Sequence, residues 1–343
     1  MAGGASARKG KGKGAVTSEQ VESNGMRAGA RVLSLFANPL NTRVLWAHRE
    51  GPLRLAELRE EIGESAQTSL RTAARTLREL GALETVPVNG SSPGVANEMT
   101  PTGEELLFVV EVVERWLAGA PEGPIAPESG AAKLAVKALA GGWSSAMMRA
   151  LAGEPLSLTE LDGVIPDVSY SSLERRLGRM RGSRQIEPAP AGGKSTPYVV
   201  TDWLRRSIAP LCAAGRCERR RMPGLAPPVT AVEVEAAFLL AIPLVALPRR
   251  TSGVCMLAVK TDGQETEDGK PPLAGVTVKV KWGEAVSCAA ELPDLPPTWA
   301  LGSPATWFDV VIDGGIEGLR FGGALPQLGV DLAQGLHLAL FGD

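Results

Sequence analysis

One stretch of this chain occurs twice. Residues 52–58 (PLRLAEL) return 103 positions later as residues 155–161 (PLSLTEL), and Arg78 returns as Arg181 at the same offset. A period of about a hundred residues is too long for a solenoid unit, because such units span roughly 20–50 residues. The repetition therefore predicts two copies of one small domain, which we call the first repeat and the second repeat.

The composition is that of a soluble protein. The 343 residues allow two or three domains that each have a core. The four cysteines form no C-x-x-C pair, which favours a reducing cytoplasm over a disulfide framework. The longest apolar run, residues 236–247, contains Pro243 and is too short to span a bilayer, so it predicts a buried helix or strand. We expect no secretory leader and no membrane insertion.

Charge is distributed unevenly along the chain. Residues 227–343 carry 7 Lys and Arg against 14 Asp and Glu, whereas residues 170–226 carry 12 basic and 4 acidic residues. A basic middle beside an acidic C-terminal part is typical of a protein that meets a polyanion with part of its surface.

Residues 1–25 are rich in Gly, Ala, Ser and Lys and predict a disordered basic tail, either merely solvated or in contact with phosphates.

Each repeat predicts three helices followed by a two-stranded ribbon. In the first repeat the helices lie at about 31–49, 55–62 and 66–80, the strands at 83–88 and 95–99, and a closing helix reaches Trp116. In the second repeat the helices contain 143–151, 158–161 and 170–181, and the ribbon spans 186–200. This order of elements is that of a winged helix-turn-helix.

Two motifs carry a resemblance to a known group of proteins. They are residues 51–58 (GPLRLAEL) at the start of the second helix and residues 77–83 (LRELGAL) at the end of the third. Both repeats resemble the HxlR/MarR group of bacterial winged-helix regulators, over roughly residues 31–203. The second repeat departs at residues 180–186 (MRGSRQI), where the group has a different junction between helix and ribbon. The resemblance implies binding to double-stranded DNA.

The C-terminal part has a different pattern. Alternating residues predict strands at 254–260, 276–282 and 285–292, and the remainder predicts a helix at 299–312, a strand at 319–322 and a helix at 325–341. This order, and above all residues 306–323 (TWFDVVIDGGIEGLRFGG), resembles the sterol-carrier-protein type 2 fold. The resemblance implies a cavity for an apolar ligand. The expected fold class is α+β and multidomain: two winged helix-turn-helix domains followed by an α+β sterol-carrier-like domain.

The third helix of each repeat presents short polar and cationic side chains, which suit phosphates and base edges. Arg71 and Arg75, like Arg175 and Arg179, are four apart and share one helix face. A solvated face normally mixes charges of both signs, yet residues 65–78 contain three arginines and no acid. The DNA-contact candidates are Gln67, Thr68, Arg71, Thr72, Arg75, Arg78, Ser169, Tyr170, Ser171, Arg175, Arg176 and Arg179, with Lys194 in the second wing.

Other residue types give little sign of chemistry. His48 and His337 lie in helical patterns and are expected to pack in or beside the core. No zinc-ligand spacing, phosphate loop or nucleophile elbow occurs, so we expect no catalytic residues, no metal and no cofactor. Four large aromatics of the C-terminal part are either core residues or the lining of a ligand cavity: Trp282, Trp299, Trp307 and Phe308.

The sequence therefore predicts a cytoplasmic, nucleoid-associated bacterial transcription regulator. Its two recognition helices would read adjacent major grooves, about 34 Å apart, as a monomeric pseudo-dimer or as a homodimer. An apolar small molecule would act through the C-terminal part. The alternative is a lipid carrier or scaffold whose winged helices bind proteins; a hydrolase or transferase is less favoured for want of a nucleophile and base. The expected segments are a tail (1–25), a first winged helix (26–118), a linker (119–130), a second winged helix (131–204), a basic connecting helix and linker (205–226) and the ligand-sensing domain (227–343).

Overall fold

The computed structural model describes residues 27–63, 66–88, 94–142, 144–165, 168–190, 195–261, 272–293 and 296–342. The predicted tail, Trp143 and Lys194 lie outside the described residues. Within the described part, no helix has both the length and the apolar character that crossing a membrane requires.

The first repeat folds close to its predicted pattern. Its elements are α1 (Ala30–Phe36), α2 (Pro39–Ala47), α3 (Leu55–Ile62), α4 (Gln67–Glu79), β1 (Leu83–Val88), β2 (Gly94–Met99) and α5 (Pro101–Ala118). The prediction of one continuous helix at 31–49 is wrong, because the chain breaks between α1 and α2. Pro39 has no N–H to continue a helix, and the side chain of Asn38 accepts a hydrogen bond from the Leu40 N–H at the start of α2.

The second repeat follows the same order of elements. They are α6 (Gly130–Gly142), α7 (Ser145–Gly153), α8 (Leu158–Val164), α9 (Tyr170–Gly182), β3 (Ile186–Pro188) and β4 (Tyr198–Val200). In each repeat the segment before the second helix forms an antiparallel bridge to the ribbon, Leu53 with Asn97 and Leu156 with Tyr198. Leu53 and Leu156 are 103 positions apart, so the sequence offset corresponds to equivalent places in the fold.

The C-terminal part is a five-stranded sheet with helices. The helices are α12 (Ala231–Ala241), α13 (Pro304–Asp313) and α14 (Pro326–Phe341), and the strands are β5 (Gly253–Lys260), β6 (Leu273–Lys281), β7 (Glu284–Ala289), β8 (Thr298–Gly302) and β9 (Arg320–Gly323). The strand order is β7-β6-β5-β8-β9, and only the central pair β5 and β8 is parallel. Of the apolar run at 236–247, residues 236–241 are confirmed as a buried helix; a 3-10 turn follows at 242–244, and Pro243 and Ala246 are exposed.

The predicted helix at 299–312 is half wrong. Residues 298–302 form β8, an inner strand of the sheet, and the helix begins only at Pro304. Ser303 caps α13 by accepting a hydrogen bond from the Thr306 N–H, and Pro304 fits the first helical position. The Ser-Pro pair therefore marks a helix start that the apolar content of the segment conceals.

The predicted connecting helix at 205–221 is two helices at the centre of the molecule. They are α10 (Asp202–Arg206) and α11 (Ile208–Arg221). Residues 208–218 of α11 are all buried, and α11 packs against α1 and α5 of the first repeat and against α13 of the C-terminal part. One hydrophobic core consequently runs from the first repeat to α14.

The two repeats pack like against like. Helix α1 contacts α6, the helix at the equivalent place in the second repeat, and α5 contacts α11, which likewise follows the ribbon of its repeat. Trp116 and Trp203 stack with ring centroids 4.5 Å apart, and each indole N–H donates to the backbone carbonyl of the other residue, at 2.9 Å and 2.7 Å. The two repeats thus share a buried interface that has specific stacking and hydrogen bonds.

Candidate nucleic-acid interface

Helix α4, which the sequence predicted as the third helix of the first repeat, exposes all of the residues that this repeat was predicted to use for DNA contact. Leu70 and Leu77 fix α4 in the core with no measurable exposure, and Ala73 and Ala74 widen this apolar stripe. The opposite face is therefore held toward solvent. It carries the exposed candidates Gln67, Thr68, Arg71, Thr72, Arg75 and Arg78.

A groove lies between α4 and the ribbon of the first repeat. Its volume is about 490 Å³. The Nη1 of Arg78 lies 3.4 Å from the Thr85 hydroxyl oxygen on β1, which holds the guanidinium over the groove. The lining is Leu55, Thr68, Arg71, Thr72, Ala74, Arg75, Arg78, Thr85, Val95, Ala96 and Asn97. Three cations above small polar side chains form a surface complementary to a nucleic-acid backbone.

Helix α9 of the second repeat packs on the core with one apolar face, as α4 does, but it carries a denser cluster of arginines. Leu173, Leu177 and Met180 enter the core. Ser169, Ser171, Arg175 and Arg179 are exposed, and Tyr170 is 47% exposed at the start of α9. Arg176 is only half-exposed, and burial together with repulsion from Arg175 and Arg179 lowers its pKa. An approaching phosphate would relieve this repulsion.

Sequence reasoning missed one residue of this surface. Arg181 is exposed on α9 at the position equivalent to Arg78, and it was not among the candidates. The signal that could have found it is the 103-residue offset itself, which pairs the two arginines. Lys194, the candidate in the second wing, lies outside the described residues.

Residues 205–221 do not form part of this surface, so within the basic stretch 170–226 only the cations of the second repeat remain candidates for contact with a polyanion. Five of the six arginines in residues 205–221 contact acidic groups of the chain. The pairs are Arg205 with Asp202, Arg216 with Asp313, Arg219 with Asp309, Arg220 with Glu105, Asp309 and Asp313, and Arg221 with Glu105. Arg216, Arg219, Arg220 and Arg221 join α11 to α5 and α13, whereas the arginines of α4 and most of those of α9 are exposed.

The four aromatics proposed as a ligand-cavity lining lie in separate places. Trp282 is 77% exposed at the turn between β6 and β7, and Trp299 covers Gly322 of β9. Trp307 is a core residue whose indole N–H donates to the Ala258 carbonyl at 2.9 Å. Phe308 packs against α11 and borders a cavity of about 20 Å³, which has room for little more than a water molecule. The structure does not bring the four side chains together.

The two histidines pack as expected. His48 is buried, its Nδ1 lies 2.7 Å from the Val44 carbonyl oxygen, and burial lowers its pKa. The Nδ1 of His337 lies 3.1 Å from the Val311 carbonyl oxygen. Among the described residues, no group of three or more His, Cys, Asp and Glu side chains is arranged to hold a metal ion.

Comparison with known proteins gives a match for the first repeat. Residues 38–122 match the model of the HxlR-like helix-turn-helix family, a stretch that runs from the start of α2 to just past α5 and holds the groove beside α4. A search of curated proteins gave no match to the chain. The family match supports a winged-helix, DNA-binding transcription regulator.

Proposed function

We propose that this protein is a transcription regulator whose two repeats are both winged helices, with α4 and α9 as the recognition helices of one pseudo-dimer. The observation that carries the proposal is the pair of arginine-bearing helices, each seated on the core by equivalent apolar residues and each exposing its cations. Arginine forms bidentate hydrogen bonds with guanine, which gives sequence recognition, and it neutralises phosphates, which gives affinity.

The packing of the repeats supports their use on one duplex. A fixed relative orientation lets two winged helices meet adjacent major grooves without the entropic cost of ordering them on binding. The contacts of α1 with α6 and of α5 with α11, together with the reciprocal Trp116–Trp203 hydrogen bonds, hold the repeats in one arrangement. A single chain then does what a homodimer of one-domain regulators does.

The test compares two triple variants. Arg175→Ala, Arg176→Ala and Arg179→Ala together remove the cations of α9. Arg206→Ala, Arg249→Ala and Arg250→Ala remove the same charge from exposed positions outside the recognition helices. We expect the first variant to lose at least ten-fold in affinity for duplex DNA, with the second close to the unvaried protein, in fluorescence anisotropy at fixed salt.

Two further measurements, of stability and of salt dependence, make this test easier to interpret. Urea unfolding shows whether the half-exposed Arg176 matters for stability, so that lost binding is not mistaken for lost folding. If about six phosphates are neutralised, affinity of the unvaried protein falls by ~10³ or more between 50 and 200 mM salt. Equal DNA affinity of both triple variants and the parent would contradict the proposal and favour a scaffold or lipid carrier that uses its winged helices for protein contacts.

The sensing part of the proposal places an apolar ligand in residues 227–343. Its physical basis is α11, which contacts both the first repeat and α13 and so links the C-terminal part to a DNA-reading module. Ligand-dependent coupling requires a ligand that favours one arrangement of the recognition helices. The test is titration of fatty acids and sterols during DNA binding; unchanged affinity at saturating concentrations rejects the sensor and leaves the regulator intact.

A further inference from the structure

The two proposed recognition helices, α4 and α9, have equivalent buried residues and end in equivalent turns. Leu70 and Leu173 are both fully buried, as are Leu77 and Met180, at the 103-residue offset. After each helix the chain turns in the same way: the Ala82 N–H donates to the Leu77 carbonyl at 2.8 Å and the Gln185 N–H to the Met180 carbonyl at 2.9 Å. Exposed positions of α4 and α9 can therefore be compared one by one.

Arg78 and Arg181 stand at equivalent positions, but the other exposed arginines of the two helices do not. Arg71 and Arg75 of the first repeat correspond to Glu174 and Gly178 of the second, and all four positions are exposed. The arginines of the second repeat stand one residue further along, at 175 and 179, where the first repeat has threonines. One residue is about 100° around a helix, so the cationic ridge of α9 is rotated relative to that of α4.

The surroundings of the arginines agree with this rotation. In the first repeat Arg71, Arg75 and Arg78 border the groove between α4 and the ribbon. In the second repeat Arg179 lies on the side of α6, where a Cβ on Gly141 would be 3.5 Å from its Nη1. The first ridge borders its wing, whereas Arg179 of the second reaches toward α6.

From this geometry we propose that the DNA site consists of two unlike half-sites and that the chain binds it in one orientation. The inference rests on the proposed function. Arg71 and Arg75 suit guanine, whereas Glu174 at the equivalent place accepts a hydrogen bond from cytosine and repels guanine and phosphate. A homodimer of identical helices selects an inverted repeat, because its two-fold axis makes both half-sites the same. A single chain with two different helices has no such constraint.

Selection from random duplex DNA with the full chain tests this directly. We expect an enriched sequence with two different halves, and reversing one half should weaken binding about ten-fold or more. An enriched inverted repeat would overturn the inference but leave the proposed function in place. Absence of any enriched sequence would overturn both.

A designed variant provides an independent test. Glu174→Arg with Gly178→Arg, Arg175→Thr and Arg179→Thr gives α9 the ridge of α4 in place of its own, and Gly178 has open space for a side chain. The control, Glu291→Arg with Gly224→Arg, Arg249→Thr and Arg250→Thr, makes the same changes at exposed positions outside both repeats, and Gly224 is also open. We expect only the first variant to shift its selected site toward an inverted repeat of the α4 half-site. The same selected site for both variants and the parent would overturn the inference.

Discussion

At the residue scale, one backbone conformation shows how closely the repeats correspond. Gly81 ends the third helix of the first repeat with a φ of 71°, and Arg184, its equivalent, has a φ of 60°. A left-handed conformation suits glycine, which has no Cβ, and is strained for arginine. The departure of residues 180–186 from the resembled group therefore changes the side chain but keeps the turn.

This correspondence predicts opposite effects of two substitutions. Gly81→Ala should lower the free energy of unfolding by about 1–2 kcal/mol, because a Cβ there meets no atom and only the backbone is strained. Arg184→Gly should raise it by about 0.5–1 kcal/mol, because the strain is removed. Urea unfolding of both variants provides the measurement.

The control for this pair is Glu122→Ala. It removes the ion pair of Glu122 with Arg184 at 3.0 Å, whose side chains are exposed and whose contribution to stability is small. Destabilisation by Arg184→Gly beyond that of Glu122→Ala would show that the arginine side chain, and not the backbone, matters at this turn.

At the scale of elements, α11 acts as a scaffold for the first repeat. Glu218 accepts hydrogen bonds from the N–H groups of Gly29 and Val32, both at 2.9 Å, and so caps α1 from 186 or more positions away along the chain. Burial raises the pKa of Glu218, while these N–H donors and Arg27 oppose the rise. The orientation of α1 thus depends on a helix that the sequence places in another segment.

Removing this carboxylate should be costly. Glu218→Ala leaves buried N–H groups at the start of α1 without their acceptor, so we expect the free energy of unfolding to fall by about 2–4 kcal/mol in urea unfolding. Glu60→Ala, at an exposed position of α3, is the control and should change it by about 0.5 kcal/mol or less. Equal losses for the two variants would show that the cap does not stabilise α1.

At the scale of the whole molecule, the two repeats already pack like against like within one chain. Helices α1 and α6, and α5 and α11, bury their contact surfaces against each other. The second repeat is also fixed to the C-terminal part, where Arg149 of α7 pairs with the buried Glu235 of α12. The continuous core makes a rearrangement of the repeats for dimerisation costly.

We therefore predict one chain per DNA site. Sedimentation equilibrium of the protein with a duplex that carries one selected site should give the mass of one chain plus one duplex. A complex with two chains per duplex would instead indicate the homodimer, with four winged helices on the DNA. The free protein, measured alone at the same concentration, serves as the mass reference.

The sequence by itself determined the local structure and the outward chemistry. Periodic apolar residues predicted α3, α4 and α9, and the 103-residue repeat predicted the equivalence of the two modules, because helix period and turn residues act over short distances. The exposed arginines of α4 and α9 followed from the same stripes.

Only the tertiary structure decided which charges outside α4 and α9 are paired and how the segments join. Residues 205–221 look like a free basic helix in the sequence, yet Arg216 meets Asp313 and Arg219 meets Asp309, which lie 97 and 90 positions further along the chain. The aromatic residues at 282–308 look like one cluster in the sequence, yet in the fold they lie in separate parts of the C-terminal sheet and helices. Partners distant in sequence leave no periodic signal, so such contacts emerge only when the chain is folded.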